Sequence, residues 1–120
     1  MPEDESQTEQ PLTISELMRQ AHETAVEKGW WDKDRNFAEQ IALQHSELSE
    51  VLEAWRDYCR VDHIYIDEHG KPSGIPIEYA DLLIRVADTC QRYGIDLEAA
   101  LRIKMQYNKT RLHRHGGKRV

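Results

Sequence analysis

The segment from Pro76 to Tyr93 constrains this chain more than any other. Placed at about 100° per residue, its apolar side chains cover most of a helical circumference. Pro76 suits the first turn of such a helix, and Gly94 suits its stop. A helix that is apolar on most sides must be covered on most sides, so it belongs at the centre of the fold. The run Ala80-Asp81-Leu82-Leu83-Ile84-Arg85-Val86-Ala87-Asp88 nevertheless carries three ionised groups, and Glu78 stands just ahead of it. Charges on a central helix require partners.

Three further helices can be read around it. Thr13-x-x-Glu16 is a capping box, and Leu17, Met18, Ala21 and Ala25 follow at helical spacing up to about Gly29. A second helix spans about Asn36 to Tyr58, with Phe37, Ile41, Leu48, Val51, Leu52 and Trp55 on one stripe. Asp96 caps the last, from Leu97 to about Asn108. Between the second and third helices, residues 67–74 are turn chemistry. His63-Ile64-Tyr65-Ile66 offers a short extended piece but no convincing strand pair. Four helices with short connections predict an all-α fold, a four-helix bundle. The helices are short for a self-sufficient core, which favours a homodimer or homotetramer.

At 120 residues there is room for one domain. Residues 1–11 read as a disordered acidic tail, 12–112 as a single all-α domain and 113–120 as a basic C-terminal tail. With 22 acidic residues against 16 basic ones, the net charge of -6 argues against a nucleic-acid binder. No apolar run approaches the ~20 residues of a membrane span. The N-terminus lacks a signal-peptide pattern. The two cysteines, Cys59 and Cys90, form no C-x-x-C pair, so the expected location is a reducing cytoplasm.

Two acid pairs stand out at i, i+3. They are Glu47 and Glu50 on the second helix, and Glu78 and Asp81 on the third. Such pairs project from neighbouring turns of one face. Four carboxylates from two facing helices repel one another and call for a cation between them. All-oxygen donors select Mg²⁺ or Mn²⁺ over zinc. The plain alternative is a set of solvent-facing helix charges, and for a single Glu-x-x-Glu it prevails. Glu50 even lies nearly opposite the apolar stripe of its helix. The central position of the third helix weighs the other way. Asp88 is left open as a further ligand, a supporting group or a partner of Arg85.

On the last helix, Leu97, Leu101, Lys104, Asn108 and Arg111 share one stripe. An inward row of donors there would hold a polyanion such as phosphate. A frayed end with Lys and Arg at its C-terminus explains the same residues. Trp30, Trp31 and Trp55 are many tryptophans for a short chain, suited to packing, to an interface or to stacking on a base.

Together these residues resemble the MazG-like all-α nucleoside triphosphate pyrophosphohydrolases, including their dCTP pyrophosphatase relatives. The resemblance rests on Gly29-Trp30, Asn36, Ser46-Glu47-Leu48-Ser49-Glu50 with Trp55, and Glu78-Tyr79-Ala80-Asp81. Lys104-Met105-x-x-Asn108-x-x-Arg111 and His115-Gly116-Gly117-Lys118 complete it, so that it covers roughly residues 13–118. Many family members have Glu-Glu-x-x-Glu at the first motif. Here the leading position is Ser46, which leaves the number of metal ions open. The resemblance implies hydrolysis of an NTP or dNTP to the monophosphate and pyrophosphate, a role in nucleotide metabolism. It implies Mg²⁺, with Mn²⁺ as a substitute, held by Glu47, Glu50, Glu78 and Asp81, with Glu47 or Glu50 as catalytic base. It gives Lys104, Asn108 and Arg111 to the phosphates, and Trp30, Trp55 and Asn36 to the base. The alternative is a helical sensor or scaffold that binds nucleotide or metal without turnover. A di-iron bundle is set aside, because no Glu-x-x-His occurs in the chain.

Overall fold

The structure, a computed structural model, describes residues 10–57 and 60–111. The expected basic tail and nearly all of the expected acidic tail lie outside the described residues, as do Tyr58 and Cys59. The described chain is mostly helical. Its order is α1 (Ile14–Glu27), α2 (Phe37–Asp57), β1 (Tyr65–Ile66), β2 (Pro72–Ser73), α3 (Ile75–Arg92) and α4 (Leu97–Thr110). None of these helices is long and apolar enough to cross a membrane.

Local chemistry sets the helix ends. The Thr13 hydroxyl accepts the Glu16 amide at 3.0 Å, which is one half of the expected capping box. The other half is not made. The Glu16 carboxylate turns instead to Arg19 and Gln20, and the Arg19 contact chiefly holds its carboxyl down at about 2. Asn36 Oδ1 accepts the Glu39 amide at 2.9 Å, and Asp96 Oδ1 accepts the Ala99 amide at 3.0 Å. Gly94 stops α3 with φ of 67°, where a side chain would be strained.

α3 is the central element, packed against α1 on one side and α2 on another. α4 reaches only α1 to any extent. The buried centre is small: Met18 and Ala21 of α1 meet Ala87 and Cys90 of α3, with Ile14, Leu17, Val86 and Leu97 packed around them. α2 corrects a simple reading of its apolar stripe. Among the described residues of α2 only Gln40 and Val51 are buried, while Phe37, Ile41, Leu48, Leu52 and Trp55 are all exposed. The edge that meets α3 runs through Gln40, Gln44, Glu47 and Val51, roughly a quarter turn from the stripe at ~100° per residue. Polar side chains make much of that contact. Gln44 donates to the Thr89 hydroxyl at 3.2 Å, and that hydroxyl lies 3.4 Å from Gln40 Oε1.

The α2–α3 connection does contain a strand pair, contrary to expectation. β1 and β2 pair antiparallel with Tyr65 opposite Ser73 and Ile66 opposite Pro72. The Asp67 carboxylate organises the turn, accepting the amides of His69 at 2.8 Å and Lys71 at 2.9 Å. Gly74 then passes against the chain at His63. Its φ is 115°, and a Cβ placed there would overlap the His63 carbonyl oxygen. Gly74→Ala should therefore cost about 1–3 kcal/mol of stability, from backbone strain plus the clash. Gly70 also has positive φ but faces open space. Urea unfolding should show Gly70→Ala to be the milder change; equal losses would contradict the close approach.

Candidate functional site

The chemistry-bearing side chains gather where α2 and α3 face each other. Carboxylate oxygens of Glu47, Glu78 and Asp81 lie within 4.8 Å of one another. Glu47 reaches the cluster because it stands on the polar edge of α2, while Glu78 and Asp81 lie on adjacent turns of α3. Glu50 is exposed and stands outside that trio, but its charge still acts on Glu78. The expected group of four is thus three converging carboxylates with a fourth alongside.

The cost of this convergence shows in the acidities. The Glu78 carboxyl is pushed above its ordinary range by partial burial first, then by the charges of Asp81, Glu50 and Glu47. The Asp81 carboxyl is raised by partial burial and then by Glu47. Lys71 of the hairpin pulls both back down, and Arg85 pulls on Asp81. Arg85 settles one open question. It binds Glu47 rather than Asp88, with Nε at 3.1 Å and Nη2 at 3.0 Å from Glu47 Oε1. Its guanidinium also lies 4.7 Å from the centre of the Trp30 ring, a cation–π contact.

A cavity of about 350 Å³ opens beside the cluster. Glu47, Asp81 and Arg85 line one part of it, Trp30 lines the wall, and Asp88 lies among its lining residues with Thr24 of α1. Asp88 is buried and receives two bonds on one oxygen, from His22 Nδ1 at 2.8 Å and Trp31 Nε1 at 2.9 Å.

The other expected site residues fall elsewhere. Asn36 caps α2. Trp55 lies in a separate groove of about 660 Å³ with Leu48, Leu52, Val61, Ile75 and Tyr79. Lys104 and Asn108 of α4 and Arg111 just past its end are exposed, with Lys104 and Arg111 set against the Tyr107 ring at 4.9 and 5.8 Å. Among the described residues the inward row of donors expected of α4 does not form, because α4 packs to any extent only against α1. Sequence reasoning missed Lys71, His22 and the pairing of Arg85 with Glu47. Lys71 and His22 left no signal, since a lysine in a turn and a histidine on an amphipathic helix are both ordinary. No match to a protein family, to a curated protein or to a solved structure was found for the chain.

The raised carboxyls carry a consequence for stability. The folded chain holds these protons more tightly than the unfolded chain does. Their contribution is therefore full below the ordinary carboxylate range and is lost as pH rises through the raised values. The empty cluster should weaken the fold at neutral pH. With a chelator present, Asp81→Asn and Glu78→Gln should melt above the parent at neutral pH, and the gain should fade towards about pH 4. Added Mg²⁺ should raise the parent's melting temperature and leave the two variants little changed. Variants that melt below the parent in chelator would contradict the repulsion.

Proposed function

We propose that this chain is a Mg²⁺-dependent nucleoside triphosphate pyrophosphohydrolase, cleaving an NTP or dNTP to the monophosphate and pyrophosphate. The observation that carries the reading is the meeting of Glu47, Glu78 and Asp81 within 4.8 Å at a cavity walled by Trp30. The donor set fits a hard divalent ion. It is all oxygen, it is strongly negative, and two of its carboxyls are raised, by loss of solvent first and then by their charged neighbours. Such an ion would be held by Glu47, Glu78 and Asp81, with Glu50 alongside. When bound, it supplies charge neutralisation on phosphate oxygens and lowers the pKa of a water.

The chain's own groups do the rest. Arg85 holds Glu47 Oε1 through one hydrogen bond from Nε and an ion-pair contact from Nη2, leaving the other oxygen for the site. Glu50, exposed and in no ion pair among the described residues, would accept a proton from the attacking water. Lys71 adds positive charge near Glu78 and Asp81, where a polyphosphate would lie. Trp30 offers a ring face to the base.

Assembly belongs to the same proposal. Among the described residues six apolar side chains are buried and twenty large ones are exposed, too little core for so much open apolar surface. A second copy of the chain would cover the groove around Trp55 and the exposed side of α4. In that homo-oligomer Lys104, Asn108 and Arg111 take up the phosphate role that they do not fill within one chain.

Purified protein with Mg²⁺ and a panel of NTPs and dNTPs should release pyrophosphate. Glu47→Gln should lower kcat on the order of 10²-fold or more. Arg111→Ala should raise KM about tenfold through a lost charge-assisted contact. No pyrophosphate from any nucleotide would overturn the reading. In sedimentation the parent should run as a dimer or larger, and Trp55→Glu should shift it towards monomer by placing a charge in the apolar groove. A monomeric parent would overturn the assembly.

A further inference from the structure

Asp88 is the one ionisable group in the cavity that the proposed hydrolysis does not use. It is 8% exposed, and it sits one helical turn past Arg85 without bonding to it. Both of its hydrogen bonds arrive on Oδ1. Trp31 Nε1 can only donate, and an ionised carboxylate only accepts, so the proton of His22 sits on Nδ1. Among the described residues no hydrogen bond reaches Oδ2, and that oxygen is not one of the polar atoms sealed from solvent without a partner, so it is open to the cavity.

An ionised carboxylate has about four lone-pair positions, and among the described residues donors reach this one on Oδ1 alone. The guanidinium of Arg85, one turn away, is committed to Glu47. The two donors are themselves well anchored. Trp31 makes edge contacts with His22 at 6.0 Å and with Tyr93 at 6.4 Å, and Arg92 lies 4.7 Å from its ring centre. Oδ1 is therefore fixed from behind by α1 and the loop after it. The remaining oxygen belongs to a residue that lines a cavity of small-molecule size, together with the exposed ring of Trp30.

We infer that Asp88 is a specificity-determining residue, whose free oxygen accepts an N–H or O–H donor from the nucleoside part of the ligand. The inference rests on the proposed function for what occupies the carboxylate end of the cavity. The cavity then has a division of labour. Glu47 and Asp81 meet the polyphosphate end through a metal, Trp30 takes an aromatic face, and Asp88 reads a donor. The donor has two possible sources, an exocyclic amine on the base or a hydroxyl on the sugar. A fixed acceptor of this kind disfavours a ligand that lacks the donor, because such a ligand displaces water from that oxygen and makes no bond in return.

The test is nucleotide binding to the full chain by calorimetry, with Mg²⁺, alongside pyrophosphate release. The probes are ATP, purine riboside triphosphate (which lacks the amine) and 2′,3′-dideoxy-ATP (which lacks the sugar hydroxyls). The parent should bind one of the two deletion analogues about tenfold to a hundredfold more weakly than ATP. Loss with purine riboside triphosphate places the donor on the base, and loss with the dideoxy analogue places it on the sugar. Asp88→Asn should erase that difference. An equal weakening of all three ligands by Asp88→Asn would mean a structural tie only and overturn the inference. Equal binding of all three by the parent overturns it without any variant, whether or not the variant folds. Asp88-dependent binding without pyrophosphate release would sink the hydrolase reading and keep this one. Release with unchanged selectivity in Asp88→Asn would do the reverse, and no binding of any nucleotide would sink both.

Discussion

Glu47, Glu78 and Asp81 stand together only because α2 packs on α3 through its polar edge. Three carboxylates within 4.8 Å oppose that packing, and the raised pKa values of Glu78 and Asp81 record the loss of solvent there and, after it, the repulsion. What holds the helices together against it is modest. A ladder of Gln40, Gln44 and Thr89 joins them further along, and Arg85 spans the gap to Glu47. The glutamine–threonine bonds are neutral and individually worth about 1 kcal/mol.

Arg85 therefore has a double position. Its bonds to Glu47 offset part of the negative charge, and its stacking on Trp30 ties the acidic cluster to the aromatic wall of the cavity. A change at the carboxylates is felt at Trp30 through one side chain. Asp88, a turn further on, is tied by His22 and Trp31 to α1 and the loop that follows it. The cavity is thus lined by three segments, and α3 is the element common to all of its polar contacts. This is the physical reason that a helix apolar on most sides still carries Asp81, Arg85 and Asp88.

The molecule has two unlike sides. One holds the charged cavity. On another, Leu48, Leu52, Trp55 and Tyr79 line an open groove, and on α4 Ile103, Met105 and Tyr107 are exposed. The apolar stripe of α2 was legible in the sequence from its spacing alone. Its direction was not, because periodicity says which residues share a face and nothing about which neighbour covers that face. The same limit applies to α4, whose Leu97 is partly buried while Lys104, Asn108 and Arg111 are exposed.

Composition and spacing determined by themselves that four helices form, close to where Thr13, Pro76, Gly94 and Asp96 begin and end them. Capping and φ preferences act over a few residues, so a sequence window contains all that they need. The i, i+3 spacing of Glu47 with Glu50 and of Glu78 with Asp81 likewise marked the acidic helix faces in advance. The hairpin at Tyr65 and Ser73 went unread because two-residue strands leave no period to detect. Tertiary structure alone decided which acids meet: Glu47 turns into the cluster and Glu50 stays at its margin. It also gave Arg85 to Glu47 and left His22 and Trp31 to Asp88, because the partner of a charge is chosen by which helices pack together, a distance in space that no spacing along the chain encodes.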